Sequence, residues 1–512
     1  MLDARTLGAA GFAALTIAIS KAPAQAPPPE ERPLVFSITC DSDVASEHSG
    51  RVYVMCGPAE GPEPRFGPGW FSQEPFLSVD ILSWETSQPL VINPRHAVNA
   101  YPGSISAWPR GEYQVQAVIR FNPDSPRLGR GEGNAYSKPV RATMGEGLGG
   151  TVDLVIDQVV PDRRPPRGER VEAVVVYSDL LMEFHGRPVA MRAAVLLPEG
   201  YGEDPDRRYP AMYWIGGFGS DHHAVAYLGR HWSKQPRADD IVRVVLDPLC
   251  YGGHHVFADS ANNGPRARAL VEELIPHLES KFRLVSAPNG RFLSGVSSGG
   301  WSSLWLQITH PDFFGGTWSI APDPVDFSRF QLADIYRENA NLFEDADGNT
   351  LALAQHNGQP FATTRDFAAM ERVLGDGGQL RSFEWVFSPQ GEDGLPAPLY
   401  DRDTGVIDPA VAEAWKAYDI RLILERDWET LGPRLAGKIN VFCGDQDTFY
   451  LHTAVETLQA TLASLDADAV VELVPGADHS SIMSPALMRR IDEEMLEAFE
   501  PGAVAVPVGA AR

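Results

Sequence analysis

Residues 291–300 read RFLSGVSSGG. The opening residues form a short apolar strand pattern. Directly after it comes a G-x-S-x-G pentapeptide, Gly295-Val296-Ser297-Ser298-Gly299, and a helix is expected from about Gly300. A serine on so sharp a strand-to-helix turn takes a strained backbone conformation, and small residues two before and two after leave room for it. Gly295 and Gly299 hold those positions. A Gly/Ser-rich tight turn can carry the same five residues, so the surrounding chain has to decide.

Outward from this turn, short buried-strand patterns alternate with helical ones. The strand candidates are YPAMYWIGG (209–217), IVRVVLDP (241–248), GTWSIAP (316–322), KINVFCGDQD (438–447) and VVELVPGADH (470–479). Helical spacing lies between them, as at Ala267–Lys281 and Gly300–Thr309, while VEAVVVYS (171–178) and AMRAAVLLP (190–198) read as paired strands. This alternation predicts an α/β fold with a doubly wound, mostly parallel sheet covered on both faces over 171–500. The interval 323–437 is too long for a simple crossover and reads as an inserted helical cap.

A serine nucleophile needs a base and an acid that orients the base, and in such a sheet both follow later strands. Asp445-Gln446-Asp447 ends one late strand and Asp478-His479 ends the last. His479 is the candidate base, taking the Ser297 proton and returning it to the leaving group. Asp447 is preferred to Asp445 as the acid because the turn carries it further from the strand end. Asp478 reads as a solvated neighbour. For the developing oxyanion, the run Gly216-Gly217-Phe218-Gly219 brings backbone close to a substrate, so the Phe218 and Ser298 N–H groups are the candidate donors.

With these residues assembled, the region from about 171 to 500 resembles the esterase branch of the α/β-hydrolases. That branch includes esterase D-like, enterochelin esterase-like and feruloyl esterase-like enzymes. The resemblance rests on YPAMYWIGGFG (209–219), FLSGVSSGGW (292–301), GDQDTFYL (444–451) and PGADH (475–479). It implies Ser297 as nucleophile, Asp447 as acid, His479 as base, Phe218 and Ser298 as oxyanion donors, and carboxylic-ester hydrolysis without a cofactor. Many relatives carry His where this chain has Gly216.

The loop 251–265 follows the strand at 241–248 and should reach the same sheet edge as Ser297. Within it, His255 or Asn263 is expected to touch substrate, or else to fix the loop. The pairs His222-His223 and His254-His255 lack a carboxylate spacing that would build a metal cage, so no metal is expected. Asp345 to Asn349 echoes a calcium loop without the Glu that would complete it, and reads as a turn.

Residues 34–160 are different. Runs such as RVYVM (51–55), FLSVDILSW (76–84), YQVQAVIRF (113–121) and TVDLVIDQVV (151–160) alternate and are separated by Gly/Pro/Asn-rich loops, which suggests a β-sandwich-like accessory domain. PDRRPPRGER (161–170) reads as a linker and 501–512 as a tail. At the start, LGAAGFAALTIAIS (7–20) has the length of a signal-peptide core, with cleavage expected after Ala24, so a periplasmic or secreted location is expected. No later segment is long and apolar enough to insert in a membrane. In an oxidising compartment Cys40 and Cys56, on VFSITC and RVYVMC, would form a disulfide across a hairpin or remain free thiols. Cys250 and Cys443 read as buried free thiols.

The 512 residues carry 43 Lys+Arg against 68 Asp+Glu, a net charge of −25. Such acidity argues against a nucleic-acid partner and against docking on an anionic membrane. Residues 323–437 hold 21 acidic and 10 basic residues, a net −11. They are either solvated helix faces or a field that disfavours anionic substrates. The expected partner is a small-molecule or polymer-linked ester. An acyltransferase using the same triad and a glycan- or polymer-binding protein with an inactive hydrolase domain stay open as rivals. Oligomeric state cannot be read from the sequence.

Overall fold

The computed structural model describes residues 34–71, 74–93, 99–145 and 149–499. The segments expected to be a leader (1–24) and a tail (501–512) lie outside them. Eight strands form the central sheet, in the spatial order Val171–Tyr177, Ala190–Leu196, Val242–Leu246, Ala211–Ile215, Arg291–Val296, Gly316–Ile320, Ile439–Gly444 and Ala469–Val474. The first two pairings are antiparallel and the remaining five are parallel. Alternate residues of one strand feed opposite faces. Met212 and Trp214 enter one core, while Ala211, Tyr213 and Ile215 enter the other. The strands at 211–215, 242–246 and 316–320 are therefore buried throughout, as a sheet covered on both sides requires.

Between Gly316–Ile320 and Ile439–Gly444 lie the hairpin Ala352–His356/Gln359–Thr363 and the helices Thr364–Leu374, Gln379–Phe387, Pro409–Trp415 and Ile420–Leu435. Phe327, Phe330, Phe383, Phe387 and Trp415 pack as an aromatic nest that reaches Trp301 of the helix Ser298–Thr309. This insertion thus shares one apolar core with the sheet beneath it. Asp345 to Asn349 is a closed turn, with the Asp345 carboxylate accepting the Asn349 amide. Many of the insertion's acids face arginines, as Asp326 faces Arg421 and Glu384 faces Arg381 and Arg402.

Between residues 34 and 159 runs a nine-stranded, mostly antiparallel sheet whose one parallel pair among the described residues is Leu34–Cys40 with Gly150–Val159. Phe36 and Ile38 share a core with Val52 and Val54, although three strands separate theirs in the sheet. The sheet is therefore folded over onto itself. The expected hairpin between the two cysteine-bearing strands does not form. Leu34–Cys40 pairs with Gly150–Val159 and Leu90–Ile92, and Glu47–Pro58 pairs with Phe76–Glu85 and Gly111–Ile119. Cys40 and Cys56 are accordingly free, buried thiols, and burial raises the pKa of both.

This β-rich unit sits directly on the insertion. Tyr53 Oη donates to Leu374 O at 2.8 Å and Ser78 Oγ to Val373 O at 2.7 Å, while Arg51 reaches Arg372 O and Val373 O. These carbonyls close the helix Thr364–Leu374, where the last turn leaves acceptors without intrahelical partners and a cation is favoured. A second joint places Arg127 and Arg163 on Asp221 at 2.7 and 2.6 Å. Burial opposes the charge of Asp221, but His223 and the two arginines outweigh it and hold the carboxyl well below its usual range.

Candidate active site

Ser297 sits between the strand Arg291–Val296 and the helix Ser298–Thr309 with φ 59° and ψ −125°. A non-glycine residue in that region is strained and has to be held there by its surroundings. The neighbours explain how. A Cβ on Gly295 would lie 2.2 Å from Gly299 O, and one on Gly299 would lie 2.0 Å from Ile215 O. Only glycine lets the turn close onto the strand Ala211–Ile215. Ser297 N–H then donates to Ile320 O at 3.0 Å, which ties the turn to the next strand as well.

The structure brings His479 and Asp447 together at the same carboxyl edge. His479 Nδ1 lies 2.7 Å from Asp447 Oδ2. Asp447 is fully buried, and its other oxygen accepts the Phe449 and Leu451 amides at 2.8 and 3.2 Å. Asp445 turns elsewhere and accepts the Gly476 amide at 2.7 Å, fixing the loop that carries His479. Burial pulls the His479 imidazole down. Asp447, with Asp323 and Asp478 behind it, outweighs burial and holds its pKa above the usual histidine value.

The candidate oxyanion loop packs against the serine. A Cβ on Gly217 would lie 3.1 Å from Ser297 Cβ. The Phe218 N–H has no backbone acceptor among the described residues, and the Ser298 N–H belongs to the first turn of its helix, where amides lack intrahelical partners. His254 Nε2 lies 3.0 Å from Gly216 O and anchors this loop from below. His255 and Asn263 are buried in the fabric of loop 251–265. His255 Nδ1 accepts the Phe257 amide, and Asn263 Nδ2 donates to Trp385 O at 3.1 Å. That is the loop-fixing arrangement.

Comparison with known proteins adds the family. The chain matches the family described as "Putative esterase" over residues 188–481, more than half its length. The chain belongs to this esterase family. A relative in Xylanibacter ruminicola, named endo-1,4-beta-xylanase/feruloyl esterase, is 26% identical over 132 residues, covering 24% of this chain and 18% of the relative. The chain therefore matches less than a fifth of that protein's length. Among solved structures, an S-formylglutathione hydrolase from Agrobacterium tumefaciens is similar at 15% identity and a TM-score of 0.39, covering 64% of this chain and 95% of that one. A ferulic acid esterase from Anaeromyces mucronatus is similar at 15% identity and a TM-score of 0.33, covering 66% and 97%.

One residue of this candidate site escaped the sequence reading. Asp323, three residues past the strand Gly316–Ile320, lies beside Ser297. Its Oδ1 accepts from Ser297 Oγ at 3.3 Å, and its Oδ2 accepts from Ser298 Oγ at 2.5 Å and from Gln379 Nε2 at 3.2 Å. Among the described residues the Ser297 hydroxyl bonds to Asp323 and makes no hydrogen bond to His479. Burial pushes the Asp323 carboxyl up to about 6, against the opposing pull of Ser298, His479, Ser297 and Gln379. Gln379 opens the helix Gln379–Phe387, so the insertion itself reaches the turn at Ser297. An acidic residue just past the carboxyl end of the strand beside the serine strand was the available signal.

Proposed function

We propose that the protein is a serine carboxylic-ester hydrolase working through an acyl-enzyme. The observation that carries this reading is a serine on a strained strand-to-helix turn at the same sheet edge as a His479–Asp447 pair at 2.7 Å. Ser297 Oγ turns from Asp323 toward His479 Nε2 by rotation about its Cα–Cβ bond and attacks the ester carbonyl. His479 takes the proton, and Asp447 keeps Nδ1 as the donor side and stabilises the imidazolium. The Phe218 and Ser298 amides hold the tetrahedral oxyanion. His479 then protonates the leaving alcohol, and water repeats the sequence to release the acid. The family membership supports ester hydrolysis, and a relative named in part as a feruloyl esterase fits it. Export by the leader at 7–20 is part of the same reading, and N-terminal sequencing of the mature protein tests it.

The test of the chemistry is Ser297→Ala on a panel of esters. The variant should fold and lose at least about a thousandfold in kcat/KM. A fluorophosphonate should label the wild type at Ser297 and leave the variant unlabelled. Wild-type turnover in Ser297→Ala would remove the nucleophile from the proposal.

A further inference from the structure

Trp70 and Phe71 belong to the β-rich unit and lie far outside the residues matched by the esterase family. They nevertheless stand at the catalytic edge. The Trp70 ring meets Phe218 at 5.7 Å, Phe449 at 5.4 Å and Phe367 at 5.5 Å between centroids. Phe71 stacks on Phe449 at 6.3 Å with 21° between planes, and meets Phe361 at 4.9 Å. Phe449 in turn sets its ring at 87° to the His479 imidazole, 4.9 Å away, while its amide holds Asp447. The chain of rings thus runs from the β-rich unit to both the base and the oxyanion loop.

These rings are not a closed core. Trp70 is 37% exposed, Phe71 41% and Phe361 52%. A contiguous open apolar surface of this kind marks a binding site far more often than isolated exposed side chains do. With Tyr101, Phe367 and Met370 they line a shallow cavity between the β-rich unit and the insertion. Among its described lining residues the one charged group is Asp366. A carboxylate or phosphate would find no counter-ion there, whereas a neutral ring would find aromatic faces and edges on several sides.

We propose that Trp70, Phe71 and Phe449 form a subsite for a neutral aryl group of the ester, built jointly by the β-rich unit and the catalytic unit. The inference rests on the esterase reading above. It makes the β-rich unit part of the substrate site, with Trp70 as a specificity-determining residue. The aryl group belongs either to the acyl half or to the alcohol half of the ester, and the two are separable by experiment.

Methyl hydrocinnamate carries the ring on the acyl side, benzyl acetate carries it on the alcohol side, and ethyl butyrate carries none. Hydrolysis of all three is followed by pH-stat on wild type, Trp70→Ala, Trp70→Phe and Phe71→Ala. Trp70→Ala should lower kcat/KM on one aryl ester about tenfold or more, with ethyl butyrate held within about twofold and Trp70→Phe close to wild type. The aryl ester that falls identifies the half of the substrate. Equal losses on all three esters, or none, overturn the subsite and leave the esterase reading standing. Where Trp70→Ala lowers the melting temperature, Phe71→Ala carries the same comparison. Should the wild type hydrolyse none of them, the esterase reading fails, and calorimetric binding of hydrocinnamamide decides the subsite alone. Binding lost in Trp70→Ala supports it, and binding that is absent or equal in both overturns it.

Discussion

Ser297 Oγ donates to Asp323 Oδ1 at 3.3 Å, so the proposed nucleophile rests against a carboxylate other than Asp447, the one paired with His479. Asp323 also raises the pKa of His479, after the larger contribution of Asp447. The base works only when neutral, so kcat/KM climbs with pH through the imidazole pKa. Removing the Asp323 charge lowers that pKa. Asp323→Asn should therefore move the acid limb of the kcat/KM profile to lower pH. An unmoved limb would deny Asp323 any influence on the base.

The same carboxyl makes a prediction for stability. Burial raises Asp323 from 3.8 to about 6, so between those values the folded protein binds a proton that the unfolded chain releases. Stability then falls as pH rises through that window, by on the order of 3 kcal/mol when the shift is converted at about 1.4 kcal/mol per pH unit. Asp323→Asn removes the ionisation, at the cost of weaker bonds to Ser297 and Ser298. The melting temperature of the variant relative to wild type should therefore increase from pH 4 to pH 7. A constant difference across that range would show that the carboxyl titrates normally.

The glycines of the turn should separate folding from catalysis. On Gly299 a Cβ would meet Ile215 O at 2.0 Å and Gly216 O at 2.6 Å, all rigid backbone. Gly299→Ala should destabilise by about 3 kcal/mol or more, since nothing nearby can yield. On Gly217 the nearest atoms are Ser297 Cβ at 3.1 Å and Val296 O at 3.3 Å, which a shift of a few tenths of an ångström relieves. Gly217→Ala should stay folded yet displace the oxyanion loop, lowering kcat about tenfold to a hundredfold with a smaller change in KM. Thermal melts and steady-state kinetics on the two variants distinguish the effects.

What was legible in the chain follows from how local each signal is. The turn at Ser297 was readable because its glycines and its flanking strand and helix are adjacent in sequence. Asp447 and His479 were readable because each closes a late strand, and strand ends collect at one edge of such a sheet. Asp323 obeys the same rule but opens the long insertion, where it looks like the first of many surface acids. Trp70 and Phe71 carry no local pattern pointing to the site, since only the packing of the β-rich unit on the helix Thr364–Leu374 brings them there. Alternation in VFSITC and RVYVMC marked two strands but not their partners, so the hairpin expected between them did not form, and of the two states left open for Cys40 and Cys56 the structure has free thiols.

A last prediction concerns the sheet that supports the site. Arg243, on the strand Val242–Leu246, pairs with Asp492 of the helix Pro485–Ala498 at 2.6 Å, and both side chains are almost wholly buried. The pair is only half satisfied, because Arg243 Nε and Asp492 Oδ1 have no hydrogen-bond partner among the described residues. Burial lowers the arginine pKa and raises that of the aspartate, each against the pull of its partner. Two desolvated charges in such an arrangement offset most of their own attraction, so the pair adds little net stability while its rupture is severe. Asp492→Leu alone should lose about 3–5 kcal/mol because it strands a buried guanidinium. The double variant Arg243→Met/Asp492→Leu should recover most of that loss. Urea unfolding of the wild type, the single variant and the double variant measures the difference, and a double variant no more stable than the single one would mean that the pair itself stabilises the fold.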